Sequence, residues 1–278
     1  MEKRLRITLL VENSVHRPNL AAQHGLSLHL RFNQHNILFD TGQTDLALTN
    51  ARTLGIELDR IEAIILSHGH YDHTGGLAAV LEAAPRARVF LHPAAFQDKY
   101  VRYPNTPPRY MGMSDRSRQA VRLSAGGFVE TPGRTKIVEG MFVTGEIPRT
   151  TACEDTGGPF FLDADGTRPD PLADDQALII DLGRSVVLVL GCAHAGVVNT
   201  LDHVGHLTGG KPVSAVIGGL HLGSAGEERI QQTISRLQSA RLDCLVPVHC
   251  TGWPATARLW QAFPGIFHRA GVGTVFEF

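Results

Sequence analysis

Cysteine is scarce in this chain. Of 278 residues only Cys153, Cys192, Cys244 and Cys250 carry a thiol, and no Cys-x-x-Cys pair occurs. The scatter argues against a disulfide framework and makes a reducing cytoplasm the expected location. Cys192 and Cys250 each lie within two residues of a histidine, but on their own they read as small buried apolar side chains. No apolar run approaches about 18 residues, so no membrane-spanning helix is expected. The Met-Glu-Lys-Arg-Leu-Arg start leads into an apolar stretch that ends at Glu12. It is too brief for a signal peptide and has no cleavage pattern. Net charge is only -1, so neither a nucleic-acid nor a membrane surface is expected. Gly-x-Ser-x-Gly is absent too, which disfavours covalent nucleophilic catalysis.

Histidine, by contrast, is plentiful at 14. The densest stretch is Leu66-Ser67-His68-Gly69-His70-Tyr71-Asp72-His73-Thr74-Gly75-Gly76. Ile61 to Leu66 before it reads as a buried strand, and Gly76 to Ala84 after it as a helix stopped by Pro85. His68 and His70, two apart on extended chain, point to one side. Asp72 and His73 open the helix and can turn back to the same point. Imidazoles and a carboxylate converging there suit a divalent transition metal, zinc first, then iron or manganese.

Other segments follow the same grammar. Leu5 to Val11 and Leu26 to Phe32 read as strands, with His29 on the polar, solvent-facing side. The loop from Glu12 to Gly25 carries His24, either a surface residue or one on the rim of a site. Asn36 to Phe39 drives Asp40 to a strand end, where it either caps the helix Thr44 to Leu54 or accepts a hydrogen bond from a buried partner. Strand–helix alternation continues through Pro93, an α/β pattern. From 94 to 138 it breaks up under Pro and Gly. That insertion mixes Arg102, Arg109, Arg116, Arg118 and Arg122 with Tyr100, Tyr103 and Tyr110. It is either a solvated loop or a lid whose arginines meet an anion on a flat organic group. Residues 155 to 175, rich in Asp, read as a surface loop without the spacing of an EF-hand. A hairpin at Gly183 then leads into Gly191-Cys192-Ala193-His194, again strand, glycine, histidine and helix. Gly218-Gly219-Leu220-His221 and His249-Cys250-Thr251-Gly252 close two further strands.

His-x-His-x-Asp-His after an apolar strand resembles the signature of the metallo-β-lactamase superfamily. Asp40, His68, His70, Asp72, His73, His194 and His249 match its motif positions. Gly-Glu-Ile-Pro-Arg at 145–149, Gly-Gly-x-His and His-Cys-Thr-Gly resemble the branch related to 7,8-dihydropterin-6-methyl-4-(ribofuranosyl)aminobenzene 5′-phosphate synthase. The resemblance, which covers nearly all of the chain except the 94–138 insertion, implies a four-layer αββα sandwich of two mixed sheets and one domain over 1–278. It implies a first metal on His68, His70 and His194 and a second on Asp72, His73 and His249, with Asp40 orienting the histidines from behind. One position departs from the pattern. The family's bridging aspartate falls in Ile217-Gly218-Gly219-Leu220-His221, which has no acid. His221 is therefore expected to take part in the second site.

These expectations point to a metal-dependent hydrolase using metal-activated water on a small, anionic substrate, a phosphoester or other ester, with a pterin-like ring among the candidates. Asp72, His73 and His221 would stand closest to the reacting atoms. The alternatives are an iron-dependent oxidoreductase on the same fold, or a metal-binding protein with little hydrolytic activity.

Overall fold

The structure is a computed structural model that describes residues 4–278; the first three residues of the basic N-terminal start lie outside it. Leu5–Val11 (β1), Ser27–Phe32 (β2) and His35–Phe39 (β3) form an antiparallel meander. Helix Leu46–Thr53 (α1) then crosses to Ala63–Ile65 (β4), parallel to β3. The short helices Tyr71–Thr74 (α2) and Leu77–Ala83 (α3) lead to Arg88–Leu91 (β5), parallel again. Next come Tyr100–Val101 (β6), Arg109–Tyr110 (β7), helix Asp115–Leu123 (α4), Phe128–Glu130 (β8) and Thr135–Val138 (β9). Met141–Val143 (β10), Phe160–Phe161 (β11), Leu178–Asp181 (β12) and Val186–Leu190 (β13) follow. Val197–Thr208 (α5), Val213–Gly219 (β14), Glu227–Ala240 (α6), Cys244–Val248 (β15), Trp253–Ala262 (α7) and Val275–Glu277 (β16) complete the chain.

The strands form two large mixed sheets, ordered β16-β1-β2-β3-β4-β5-β8 and β15-β14-β13-β12-β10-β9. Their inner faces meet in one apolar layer, in which Leu28, Leu30, Ile37 and Phe39 oppose Leu178, Val187, Val189 and Ile217. Each such fully buried side chain contributes roughly 1.5–3 kcal/mol. Helices α1, α3 and α4 cover the outer face of the first sheet. Helices α5, α6 and α7 cover that of the second. The result is the expected α/β four-layer sandwich.

Three local readings are corrected. His29 is buried, not solvent-facing: β2 is an interior strand, and His29 lies opposite Thr8 and Leu38. Burial depresses its imidazole pKa to about 4. The 94–138 insertion is not wholly irregular. Ser114 caps α4 by accepting the Ser117 amide at 3.1 Å, while β8 and β9 extend the edges of the two sheets. The 155–175 loop is not simply a surface loop either, because Asp170, Asp174 and Asp175 are all buried.

Candidate metal centre

β3, β4 and β5 run parallel, as do β13, β14 and β15. Parallel strands deliver their carboxyl-end loops to one edge. Asp40 follows β3, the 68–73 turn follows β4, His194 follows β13, His221 follows β14 and His249 follows β15. Asp40, Ala193, His221 and His249 all adopt positive φ, between 45° and 57°. Left-handed backbone in non-glycine residues is uncommon and concentrates at functional sites. Here it turns each chain back toward the gap between the sheets.

His68, His70 and His194 form one group, with ring centroids 4.6–4.9 Å apart. Ser67 Oγ donates to Asp40 Oδ2 at 2.7 Å, so the same oxygen accepts from His68 Nδ1 at 2.9 Å. That leaves the lone pair of His68 on Nε2, 3.0 Å from His70 Nδ1. His194 Nδ1 donates to the Thr156 carbonyl at 2.8 Å. Nε2 of His70 and Nε2 of His194 are buried without a hydrogen-bond partner, and such groups call for an explanation. Burial holds all three imidazoles neutral, His70 down to about 3, with Lys99 adding to the effect there.

Asp72, His73 and His249 form the second group. His73 Nδ1 donates to Asp40 Oδ2 at 2.7 Å, and His249 Nδ1 meets Asn13 Oδ1 at 3.2 Å. Their Nε2 atoms consequently face each other at 3.1 Å, lone pair to lone pair. Asp72 Oδ2 lies 3.3 Å from His249 Nε2 and 3.7 Å from His73 Nε2. Two facing lone pairs repel unless a cation or a proton sits between them. Without a metal the proton serves. Burial opposes a charged His73, but the carboxylates of Asp40 and Asp72 outweigh it and raise its pKa to about 9. His24 stands at the rim, its Nε2 3.1 Å from Asp72 Oδ2 and its side chain half exposed.

His221 comes close to His194, ring centroids 4.1 Å apart, but groups with Cys192 and Cys250 rather than directly with His73 and His249. Cys192 Sγ lies 3.2 Å from His73 Nε2. Taken singly, Cys192 and Cys250 read as buried apolar residues; the structure places both thiols at the site. Their spacing to His194 and His249 was the available signal.

Buried charges brace this edge from behind. Lys99 Nζ donates to Asp170 Oδ2 at 2.9 Å and Asp174 Oδ1 at 2.8 Å, all three side chains at most 2% exposed. Asp174 Oδ2 accepts the amide of Gly69, between His68 and His70, at 2.7 Å. Asp175 accepts the Ala195 amide at 2.7 Å, and Arg149 donates to the His194 carbonyl at 2.6 Å. Glu154 accepts the Val198 and Asn199 amides, capping α5. The small sheet β11-β6-β7 walls the cluster, and Phe160 packs on His70 and His194 at ring distances of 5.0 and 5.4 Å. The insertion's arginines mostly hold structure: Arg116 pairs with Glu82, Arg118 with Asp98, and Arg122 lies over Phe96.

The donors fit a divalent metal. Buried His70 and His194 each present a nitrogen without a partner, and His73 and His249 turn theirs toward Asp72. The far nitrogens of His73, His68, His249 and His194 are fixed by Asp40, Ser67, Asn13 and Thr156. Among the described residues, no helix is long and apolar enough to cross a membrane.

Residues 25–206 match the Metallo-beta-lactamase superfamily, and the chain belongs to it. It is 30% identical to an uncharacterised protein of Methanocaldococcus jannaschii, over 95% of this chain and 98% of that one. A second protein of that organism, named 7,8-dihydropterin-6-methyl-4-(beta-D-ribofuranosyl)-aminobenzene-5'-phosphate synthase, is 30% identical over 92% of this chain and 90% of that one. The crystal structure of Tm1679, described as a metal-dependent hydrolase of the beta-lactamase superfamily, matches with a TM-score of 0.82 and 30% identity over 98% of both chains.

Proposed function

We propose that the chain is a metal-dependent hydrolase acting on a small anionic substrate. The observation that carries this reading is the pair of imidazole groups whose lone pairs converge. His68, His70 and His194 would hold one divalent ion, zinc or iron, and Asp72, His73 and His249 a second, with His221 beside them. When bound, such ions acidify water to a pKa of about 7 and polarise the bond to be cut. The chain's own part is to keep the ring nitrogens aimed. Asp40 holds the His73 Nδ1 proton, and Ser67 and Thr156 hold those of His68 and His194. Asp72 stays ionised beside His24 and His249 and orients the attacking water. The 94–138 insertion, whose β6 and β7 share a small sheet with β11, would serve as the lid of a single domain.

Two cavities border the cluster. One of about 660 Å³ opens beside His249 and is lined by Trp253, Trp260, Phe267 and Arg269 among others. Its exposed indoles and its guanidinium suit a flat ring bearing an anion, which agrees with the phosphorylated pterin in the name of the Methanocaldococcus synthase. The other, about 420 Å³, reaches Gly157 and Arg229 near His221. The free thiols fit a reducing cytoplasm.

The test is metal analysis of purified protein followed by a screen of phosphomonoesters, phosphodiesters, lactones and thioesters. Cleavage that disappears with chelator and in His194→Ala supports the reading. Full metal loading with no cleavage would reduce the chain to a metal-binding protein, and iron with oxygen uptake would make it an oxidoreductase.

A further inference from the structure

Cys192 stands at the crossing of the two imidazole groups. Its Sγ lies within 4.8 Å of ligand nitrogens of His68 and His194, and equally of His73 and His249. It also belongs to the group with His221 and Cys250. It is buried, at 3% exposure. Gly191 permits this placement, because a Cβ there would lie 2.0 Å from Ser67 Oγ. The end of β13 is thus pressed against the Asp40–Ser67 support, and the next residue reaches the cluster. Ala193, at φ 55°, then folds His194 back to the same point.

Charge demands an anion at that crossing. Two dications bound to these two groups would repel strongly in so buried a pocket. Asp72 is the one carboxylate in the two groups, and Asp40 is occupied behind His73 and Ser67. The end of β14 has no room for another acid. A Cβ on Gly219 would lie 2.6 Å from Cys250 Sγ and 2.5 Å from the Gly191 carbonyl; one on Gly218 would lie 2.0 Å from the Leu190 carbonyl. The Cys250 thiol and the backbone at the end of β13 occupy the space that a side chain from β14 would need.

We propose that Cys192 is the shared ligand, its Sγ bridging both cations as a thiolate. The assignment rests on the metal reading above and narrows it. On binding, the thiol proton passes to solvent and no electron is transferred. A soft bridging sulfur favours zinc or iron over manganese, magnesium or calcium.

The test compares wild type, Cys192→Ser and Cys250→Ser, each purified, checked for native circular dichroism and loaded with zinc or cobalt. X-ray absorption of the zinc-loaded wild type is expected to show a sulfur neighbour at about 2.3 Å, and the cobalt form a thiolate charge-transfer band. Cys192→Ser should lose both signals and fall from two bound ions to one or none; Cys250→Ser should keep the sulfur signal. Two bound ions with only nitrogen and oxygen neighbours in wild type would overturn the bridge while leaving the metal reading intact. A sulfur signal lost in Cys250→Ser but kept in Cys192→Ser would overturn it in favour of Cys250. Failure of wild type to bind any divalent ion would overturn both readings.

Discussion

Lys99→Met removes the cation from a fully buried triad and leaves Asp170 and Asp174 facing each other. The methionine fills the same volume, so the defect is electrostatic. Breaking a buried pair by removing one partner costs about 3–5 kcal/mol, because a desolvated charge is left behind. At roughly 2–4 °C per kcal/mol for a chain of this size, the melting temperature should fall by roughly 6–20 °C. The damage has a direction in pH as well. In wild type, burial pushes Asp174 up but the charge of Lys99 outweighs it and holds the carboxyl below its usual range. Asp174 therefore contributes stability that is present above the ordinary carboxylate range and lost as pH falls through the depressed value. Without Lys99 burial dominates and the sign reverses, so the gap between variant and wild type should narrow on mild acidification. Lys99→Met combined with Asp170→Asn and Asp174→Asn should recover much of the loss, since the amide oxygen at 174 can still accept from Gly69. Urea titration of metal-free protein measures all three. A loss under about 1 kcal/mol for the single variant, or no recovery in the triple, would refute the reasoning.

Further outcomes are expected. Asp40→Asn should weaken metal binding about 10–100-fold with little change in fold, because His73 and Ser67 lose their charged acceptor; competition with a chromophoric chelator measures it. Asp175, raised to about 7 by burial against the pull of the Ala195 amide, should make the metal-free fold less stable as pH rises between its unfolded value near 3.9 and 7. Asp175→Asn should therefore gain on wild type between about pH 4.5 and 7.5 in urea titrations, and a constant gap would refute the shift. Glu154→Ala uncaps two amides of α5 and should cost about 1–2 kcal/mol, read by thermal melts.

What could be read in advance was local. The 68–73 turn announces itself because strand, histidine spacing and helix lie within a dozen residues. The sandwich follows from the alternation of apolar strands and helices. The Lys99 triad was invisible because its partners lie 71 and 75 residues away. An Asp-rich loop reads as solvated unless the buried lysine is known. His29 misleads for a related reason. Period-two alternation identifies the two faces of a strand, but not what covers the outer one. Helix α4 was masked by Pro and Gly on both sides, although Ser114 is an ordinary N-cap. The thiols at 192 and 250 carry no signal by themselves; their meaning comes from β13, β14 and β15 ending side by side.

The polar cluster is drawn almost evenly from residues before 75 and residues after 190, one set from each sheet. Neither half can bind an ion well alone, so any ion held there works as a rivet across the seam. Its binding free energy adds to the cohesion of the sandwich. Stripping it would loosen the molecule first along that edge.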